Sequence, residues 1–417
     1  MSFYKKGLAA AAMVLMGSVS LAGAVETSDL FGAATGYVHP SLEISEKYTD
    51  NFDQSANNED GDWITTVSPG IWLALPATDR KRFSIVSSND APGGQGVSRF
   101  QGEDFYGFQG SAFYRADIEN YAEHTDEEST KHTGQGVLQY SFAGGLTLEV
   151  SDVYVADYDN QAKTGSDEKE EFKSNLASAI VFYKVGEKLK LRAGYSNYTL
   201  DYDKSDSLFK ERTDDQLSAY VLYKILPKTE LFLQYDYIDL DYDRDVLGDS
   251  VENHLFAGVK FDSNARISGH LKLGYGRTSV DVADNNTYED LIGDASLSYG
   301  FLERSSITLT GRQRVNVSTE KDFQNILHRR IGLSFNHPLT QKLAVVLRTG
   351  YGRDEYREDS ERTGRIDHTA SAGIKFNYDM QQWLRLSLGY DYTDRDSDIA
   401  TNEYRENAVM AMISVSF

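Results

Sequence analysis

The chain has 417 residues, with 27 Tyr, 20 Phe, 6 Pro and no Cys; 64 acids against 42 bases leave a formal charge of −22. Disulfides are excluded, and a nucleic-acid binder, which needs a basic surface to meet phosphate, is disfavoured. Beyond the N-terminus no stretch holds eighteen consecutive apolar residues, which excludes a helical membrane span in the mature chain.

The first predicted element is a secretory signal. Lys5 and Lys6 form a basic start, Leu8 to Leu21 is an apolar run too short for a membrane anchor, and Ala22-Gly23-Ala24 is a small-residue cleavage site. Cleavage before Val25 removes two Lys and no acid, so the charge goes from −22 to −24. No Cys follows for lipid attachment.

From residue 36 onward the pattern is period two. Alternation predicts strands at 36–48, 62–74, 105–122, 132–142, 146–158, 172–184, 189–202, 212–225, 229–242, 252–261, 267–281, 288–301, 306–318, 323–336, 342–356, 365–378, 383–394 and 404–417. In LFLQYDY (231–237), Leu231, Leu233, Tyr235 and Tyr237 share one face, against Phe232, Gln234 and Asp236. LRLSLGYDY (384–392), LKLRAGY (189–195) and LKLGYGR (271–277) repeat the scheme, aliphatics first and Tyr later.

The breaks between strands alternate in length. Short ones (AGG at 143–145, GEK at 186–188, LPKT at 226–229, HPLTQ at 337–341) take turns with long acidic ones such as DYDNQAKTGSDEKEE and DYDRDVLGDS. Tight turns on one side and long loops on the other, with an aliphatic band and a Tyr girdle on one face, are the marks of an outer-membrane hairpin array. A soluble sheet would need a second layer to cover its apolar face, and none is present. Strands in hydrocarbon must close on themselves to satisfy their backbone. The expected fold is therefore all-β, one transmembrane antiparallel up-and-down barrel of about eighteen strands over residues 25–417. An even count puts both termini in the periplasm. Residues 75–104, containing DAPGGQG, interrupt the series as an irregular segment that plugs, gates or extends the barrel. The chain ends NAVMAMISVSF, with Phe417 last on the lipid face; this resembles the assembly signal read by the barrel-insertion machinery as an added edge strand.

If aliphatics face lipid, the other face lines the lumen. Just above the short turns that face carries Lys190, Arg192, Lys224, Lys260, Lys272, Arg312, Arg314, Arg330, Arg348, Lys375 and Arg385, while acids there are scarce apart from Glu149. Such a ring would favour anions; the alternative is a polar lumen whose basics pair with neighbouring acids. Acids gather in upper strands and loops, among them Asp236, Asp239, Asp241, Asp243, Asp391 and Asp394. Lumenal Tyr220, Phe232 and Phe256 are candidate sugar-stacking surfaces. Replacing Arg312, Arg314 and Arg330 with Glu is expected to weaken or reverse anion preference without harming assembly.

Enzymatic and metal signatures are absent. Eight His are scattered without HExxH, and GxSxG does not occur; His270 and His328 read as polar lining. Asp241, Asp243, Asp245 and Glu252 have calcium-hand spacing, but Val246 stands where the turn needs Gly, so a solvated acidic loop is expected, with cation bridging to lipopolysaccharide phosphates at most. Neither a cofactor nor a resident metal is expected.

The opening strands, HPSLEISEKYTDNFDQS (39–55) and GDWITTVSPGIWLALP (61–76), resemble those of a β-barrel porin family associated with exopolysaccharide and capsule biosynthesis. The resemblance rests on the corner Tyr48-Thr49-Asp50-Asn51, on Asp62 and Pro69-Gly70, and on later L-x-L-x-x-G-Y openings. It implies an outer-membrane pore that secretes an exopolysaccharide and works with a periplasmic polysaccharide export protein. A diffusion porin for small anionic or sugar solutes, and an adhesive barrel whose acidic loops bind cations and partners, are the alternatives.

Overall fold

The structure, a computed structural model, describes residues 36–57, 59–78, 107–159, 170–203, 208–244, 246, 248–261, 266–281, 287–302, 304–318, 323–358 and 363–417. The signal segment, most of the predicted irregular segment and Asp245 lie outside these residues. Eighteen strands follow in chain order: β1 Gly36–Thr49, β2 Asp62–Thr78, β3 Gly107–Tyr121, β4 Ser129–Ser141, β5 Leu146–Asp159, β6 Glu170–Val185, β7 Leu189–Tyr202, β8 Arg212–Leu226 and β9 Thr229–Tyr242, then β10 Ser250–Phe261, β11 Ile267–Val280, β12 Thr287–Leu302, β13 Ser305–Val317, β14 Asn325–Pro338, β15 Leu343–Arg357, β16 Thr363–Gln381, β17 Leu384–Ser397 and β18 Tyr404–Ser416. Each predicted strand is present. β2 runs four residues further than expected, to Thr78, and so takes in the start of the predicted irregular segment.

Each strand pairs antiparallel with its chain neighbours, and β1 pairs with both β2 and β18, so the sheet is closed and has no free edge. The corner after β1 fastens this closure. Lys47 Nζ and Thr49 Oγ1 donate to Glu406 Oε1 at 3.0 and 2.9 Å, and Asn51 Nδ2 donates to the Arg405 carbonyl at 2.8 Å. At the opposite end of the seam, the Phe417 N–H donates to the Pro40 carbonyl at 3.1 Å. Pro69, having no N–H, coincides with a gap in the β2–β3 ladder between Val67 and Gly70.

The strands are steeply tilted. The row of cross-strand partners that leaves Lys190, second residue of β7, runs through Leu222, Phe232, Gly258, Lys272, Asp294, Arg312, Arg330, Gly352 and Thr369 to Arg395, close to the far end of β17. A barrel of this size closes only with such stagger.

Side chains alternate outward and inward as the pleat requires. Leu231, Leu233 and Tyr235 are exposed on the outer face, while Phe232, Gln234 and Asp236 are buried inside. Near the long-loop end the outer face carries Tyr residues whose hydroxyls reach a polar group diagonally across the hairpin. Tyr195 donates to Asp215 at 2.6 Å, Tyr235 to Asn253 at 2.7 Å and Tyr390 to Asn407 at 2.8 Å; Tyr351 pairs with His368 at 2.7 Å and Tyr114 with His132 at 2.9 Å. Aliphatic below, phenol at the boundary and polar above is the order that a membrane interface selects. Among the described residues no helix is long and apolar enough to cross a membrane.

Candidate functional site

The interior has two unlike walls. On β5–β9 the inward residues are buried, with apolar clusters set among buried polar and charged groups such as Arg192, Arg212, Asp214, Gln216, Gln234 and Asp236. Val153, Phe172, Leu176, Tyr198, Leu200 and Tyr202 form one cluster, Phe209, Ile238, Leu240 and Tyr242 a second, and Tyr220, Leu222 and Phe232 a third. Such side chains are withdrawn from water. Tyr220 and Phe256 differ from expectation as stacking surfaces: the Arg192 guanidinium covers the Tyr220 ring at 4.6 Å and Lys272 Nζ covers Phe256 at 4.4 Å. Phe232 is likewise buried, its ring lying over Gly258, where an added Cβ would come within 2.4 Å of it.

The second wall, β11–β18 with β1, is charged. The pleat turns all eleven predicted basic residues inward, in three groups, the first of which lies on β7, β8 and β10, outside this wall. Near the short turns Lys224 and Lys260 stand directly opposite Glu230 from either side, and Lys190 Nζ binds its carboxylate at 2.6 Å. Arg192 is buried on the Tyr220 ring.

The second group follows the tilted row. Lys272 Nζ donates to Gln234 Oε1 at 3.1 Å. Asp294 is held between His270 Nε2 and Arg312 Nε, the latter at 3.1 Å. One strand pair on, Asp354 repeats the arrangement between His328 Nδ1 at 2.6 Å and the two-pronged Arg330, whose Nη2 donates to Oδ2 at 2.6 Å. Arg314 Nε donates to Asn316 Oδ1 at 2.6 Å. His270 and His328 are thus fixed members of ion-pair clusters rather than loose lining.

The third group is Arg348, Lys375 and Arg385. Arg385 pairs with Asp379 at 2.6 Å. Arg348 is exposed to the interior and Lys375 half-exposed; neither makes a hydrogen bond or ion pair among the described residues. Lys375 has Glu43, Arg348, Arg385 and Asp391 as charged neighbours, and Asp391 in turn has Arg348, Lys47 and Glu406 near it. Gly373 lies between Arg348 and Asp391 in the ladder and leaves the lane open: a Cβ there would meet Asp391 Oδ1 at 2.2 Å.

Acids are therefore not scarce on the interior face above the short turns. Glu43, Glu230 and Asp379 stand there beside Glu149, and Asp294 and Asp354 neutralise arginines of the row. Lys47, paired with Glu406, joins the charged wall. At the long-loop end Asp367, buried, receives Arg365 Nε at 3.2 Å, Arg395 Nη2 and Ser397 Oγ, with the Arg365 guanidinium 3.6 Å from the Tyr356 ring centre. The signal for these acids was on the page, since each lies on the inward parity of its strand. Their partners were not, because pairing depends on register.

No group of three or more His, Asp or Glu among the described residues is arranged to hold a metal ion. A family model described as "Putative beta-barrel porin 2" matches residues 108–417. No curated protein matches. Solved structures with a similar fold include Pseudomonas aeruginosa OpdL (12% identity, TM-score 0.45, covering 91% of this chain and 99% of that one) and P. aeruginosa OpdK with vanillate (10%, 0.47, 91% and 99%). A third is the alcaligin outer-membrane receptor FauA of Bordetella pertussis (9%, 0.41, 92% and 76%). Since the family model spans most of a closed eighteen-stranded barrel, this chain belongs to that β-barrel porin family and is an outer-membrane porin.

Proposed function

We propose that the barrel is an anion-selective passage and that its cargo is an anionic exopolysaccharide on its way out of the cell. The observation carrying this reading is the pair Arg348 and Lys375 on the charged wall, which makes no hydrogen bond or ion pair among the described residues although Asp391 and Glu43 stand near. Exposed cations on a low-dielectric wall raise the local concentration of anions and lower their entry barrier. The ion-paired rows around Asp294 and Asp354 hold that wall rigid at small net charge. In this reading the short turns and both termini face the periplasm, where a polysaccharide export protein would deliver the polymer, and Phe417 serves the assembly machinery. The resemblance of the first hairpin supplies the polymer.

Planar-bilayer reversal potentials across a salt gradient test the selectivity: anion preference is expected, and cation preference would overturn it. Deleting the gene and measuring surface polysaccharide tests the cargo, with loss of surface polymer expected. The buried side chains filling the β5–β9 wall favour a second reading, diffusion of small anionic or sugar solutes. Unchanged surface polysaccharide with impaired uptake of such solutes would establish it.

A further inference from the structure

Arg329 and Arg353 lie on the outer face, directly opposite each other on β14 and β15, in a row with Gln313 on one side and His368 on the other. Two like charges in directly opposed positions repel unless an anion stands between them. Among the described residues only Glu355 does so: its Oε1 receives Arg329 Nη1 and, at 2.6 Å, Arg353 Nη1. Arg329 Nε donates to Gln313 Oε1 at 3.1 Å. Arg329 Nη2, Arg353 Nε and Arg353 Nη2 have no partner among the described residues. Elsewhere at this end of the outer face, among the described residues, cations have their own acids, as in Lys173 with Asp203, Arg277 with Glu289 and Arg405 with Asp394. Here two guanidinium groups share one carboxylate, in a protein that is otherwise strongly acidic.

The position in the membrane is equally particular. Tyr351, whose hydroxyl pairs with His368, is two residues below Arg353, and Ile331 is two residues below Arg329; both are exposed. The cations therefore sit one step above the phenol boundary, at headgroup level, with apolar surface for acyl chains beneath them.

We propose that Arg329 and Arg353, flanked by His368, form a binding site for the phosphate of a lipid headgroup. A phosphate monoester carries more charge than the single carboxylate, and its oxygens match two guanidinium forks. It would relieve the repulsion that Glu355 relieves only in part, while the lipid tails settle on Ile331 and Tyr351.

The test uses the full mature barrel in detergent and native mass spectrometry with bis-phosphorylated lipid A and its dephosphorylated form. The phosphorylated lipid is expected to bind about tenfold more tightly. An R329Q/R353Q double variant should lose that preference, while an R277Q/R405Q control keeps it; heat-modifiable migration on gels verifies folding of both. E355Q supplies an opposite sign, because removing the competing carboxylate should strengthen binding. Equal binding of the two lipids, or an unaffected double variant, overturns the site. Complete displacement of the lipid by an equal concentration of inorganic phosphate overturns the lipid assignment.

Discussion

Asp50 holds Asn407 at two points across 357 residues of chain: Oδ1 accepts the main-chain N–H and Oδ2 the side-chain amide, both at 2.7 Å. The last strand is thereby docked on the corner that follows the first, and the barrel closes. Both bonds are charge-assisted and part-buried, so Asp50→Ala is expected to cost about 2 kcal/mol. Urea unfolding in micelles gives the loss. Hydrogen exchange should rise at β1 and β18 and stay unchanged at β8 and β9.

Arg330 reaches Asp354 over Gly352, and a Cβ on Gly352 would sit 2.8 Å from the Arg330 side chain. Gly352→Val therefore pushes the guanidinium aside and strips the buried Asp354 of its two-pronged partner, leaving His328. Overpacking and a half-unpaired buried carboxylate together predict a loss of about 2–3 kcal/mol, measurable as a lower unfolding midpoint. The variant Gly352→Ala tests the same contact with the smallest possible side chain and should lose less.

The architecture was readable because a sheet with different media on its two faces forces an alternation that no loop imitates. Residues 231–237 show it without ambiguity, whereas the Tyr48-Thr49-Asp50-Asn51 corner carried only a family resemblance, and its place at the closing seam depends on contacts with β18. What stayed hidden depends on register. Nothing in the sequence says that Asp354 falls beside Arg330, or that Glu406 falls beside Lys47 359 residues away. Val153, Phe172 and Leu176 were masked for another reason. Period two assigns parity, but an apolar residue on the inward parity looks the same whether it lines water or is packed away.

Register also redirects the selectivity experiment. Replacing Arg330 with Glu would set it against Asp354 and damage the fold, so the triple substitution at Arg312, Arg314 and Arg330 is a poor probe. R348Q/K375Q removes both charges where there is no ion pair among the described residues to break and sets no new carboxylate against Asp391 or Glu43. The anion-to-cation permeability ratio should fall by about tenfold with the unfolding midpoint little changed. An unaltered reversal potential would remove these two residues from the passage.

His124, in the β3–β4 loop, is bound to Asp62: its N–H and Nδ1 meet Oδ2 at 3.0 and 2.8 Å, and Phe52 packs on its ring at 4.0 Å. Burial opposes protonation, but the hydrogen bond to Asp62 and the charges of Asp62 and Asp60 outweigh it, so its pKa is raised above the ordinary imidazole value. A raised folded-state pKa means that protonated His124 stabilises the loop. That contribution is complete below the unfolded imidazole pKa and disappears as pH climbs through the folded one. Limited proteolysis of the loop should accelerate on raising the pH across neutrality, and His124→Asn should flatten the profile. A flat profile in the parent protein would contradict the assignment.

Phe417 is exposed on the outer face and stacks on Trp383, with ring centres 5.8 Å apart and planes 13° from parallel, while its carbonyl accepts from His39 Nδ1 at 3.2 Å. The two rings cover the short-turn rim where β17, β18 and β1 meet. Truncating an exposed ring leaves no buried cavity, so Phe417→Ala should lower the purified barrel's stability by only about 1 kcal/mol, the worth of one aromatic pair. If the terminal aromatic is read during insertion, assembly in cells should fall far more than that loss explains, with unfolded chain accumulating before the membrane. Trp383→Ala separates the two roles. It removes the same stacking pair but leaves the C-terminal residue intact, and is expected to match the stability loss without the assembly defect. Equal assembly defects in both variants would assign Phe417 to the rim alone.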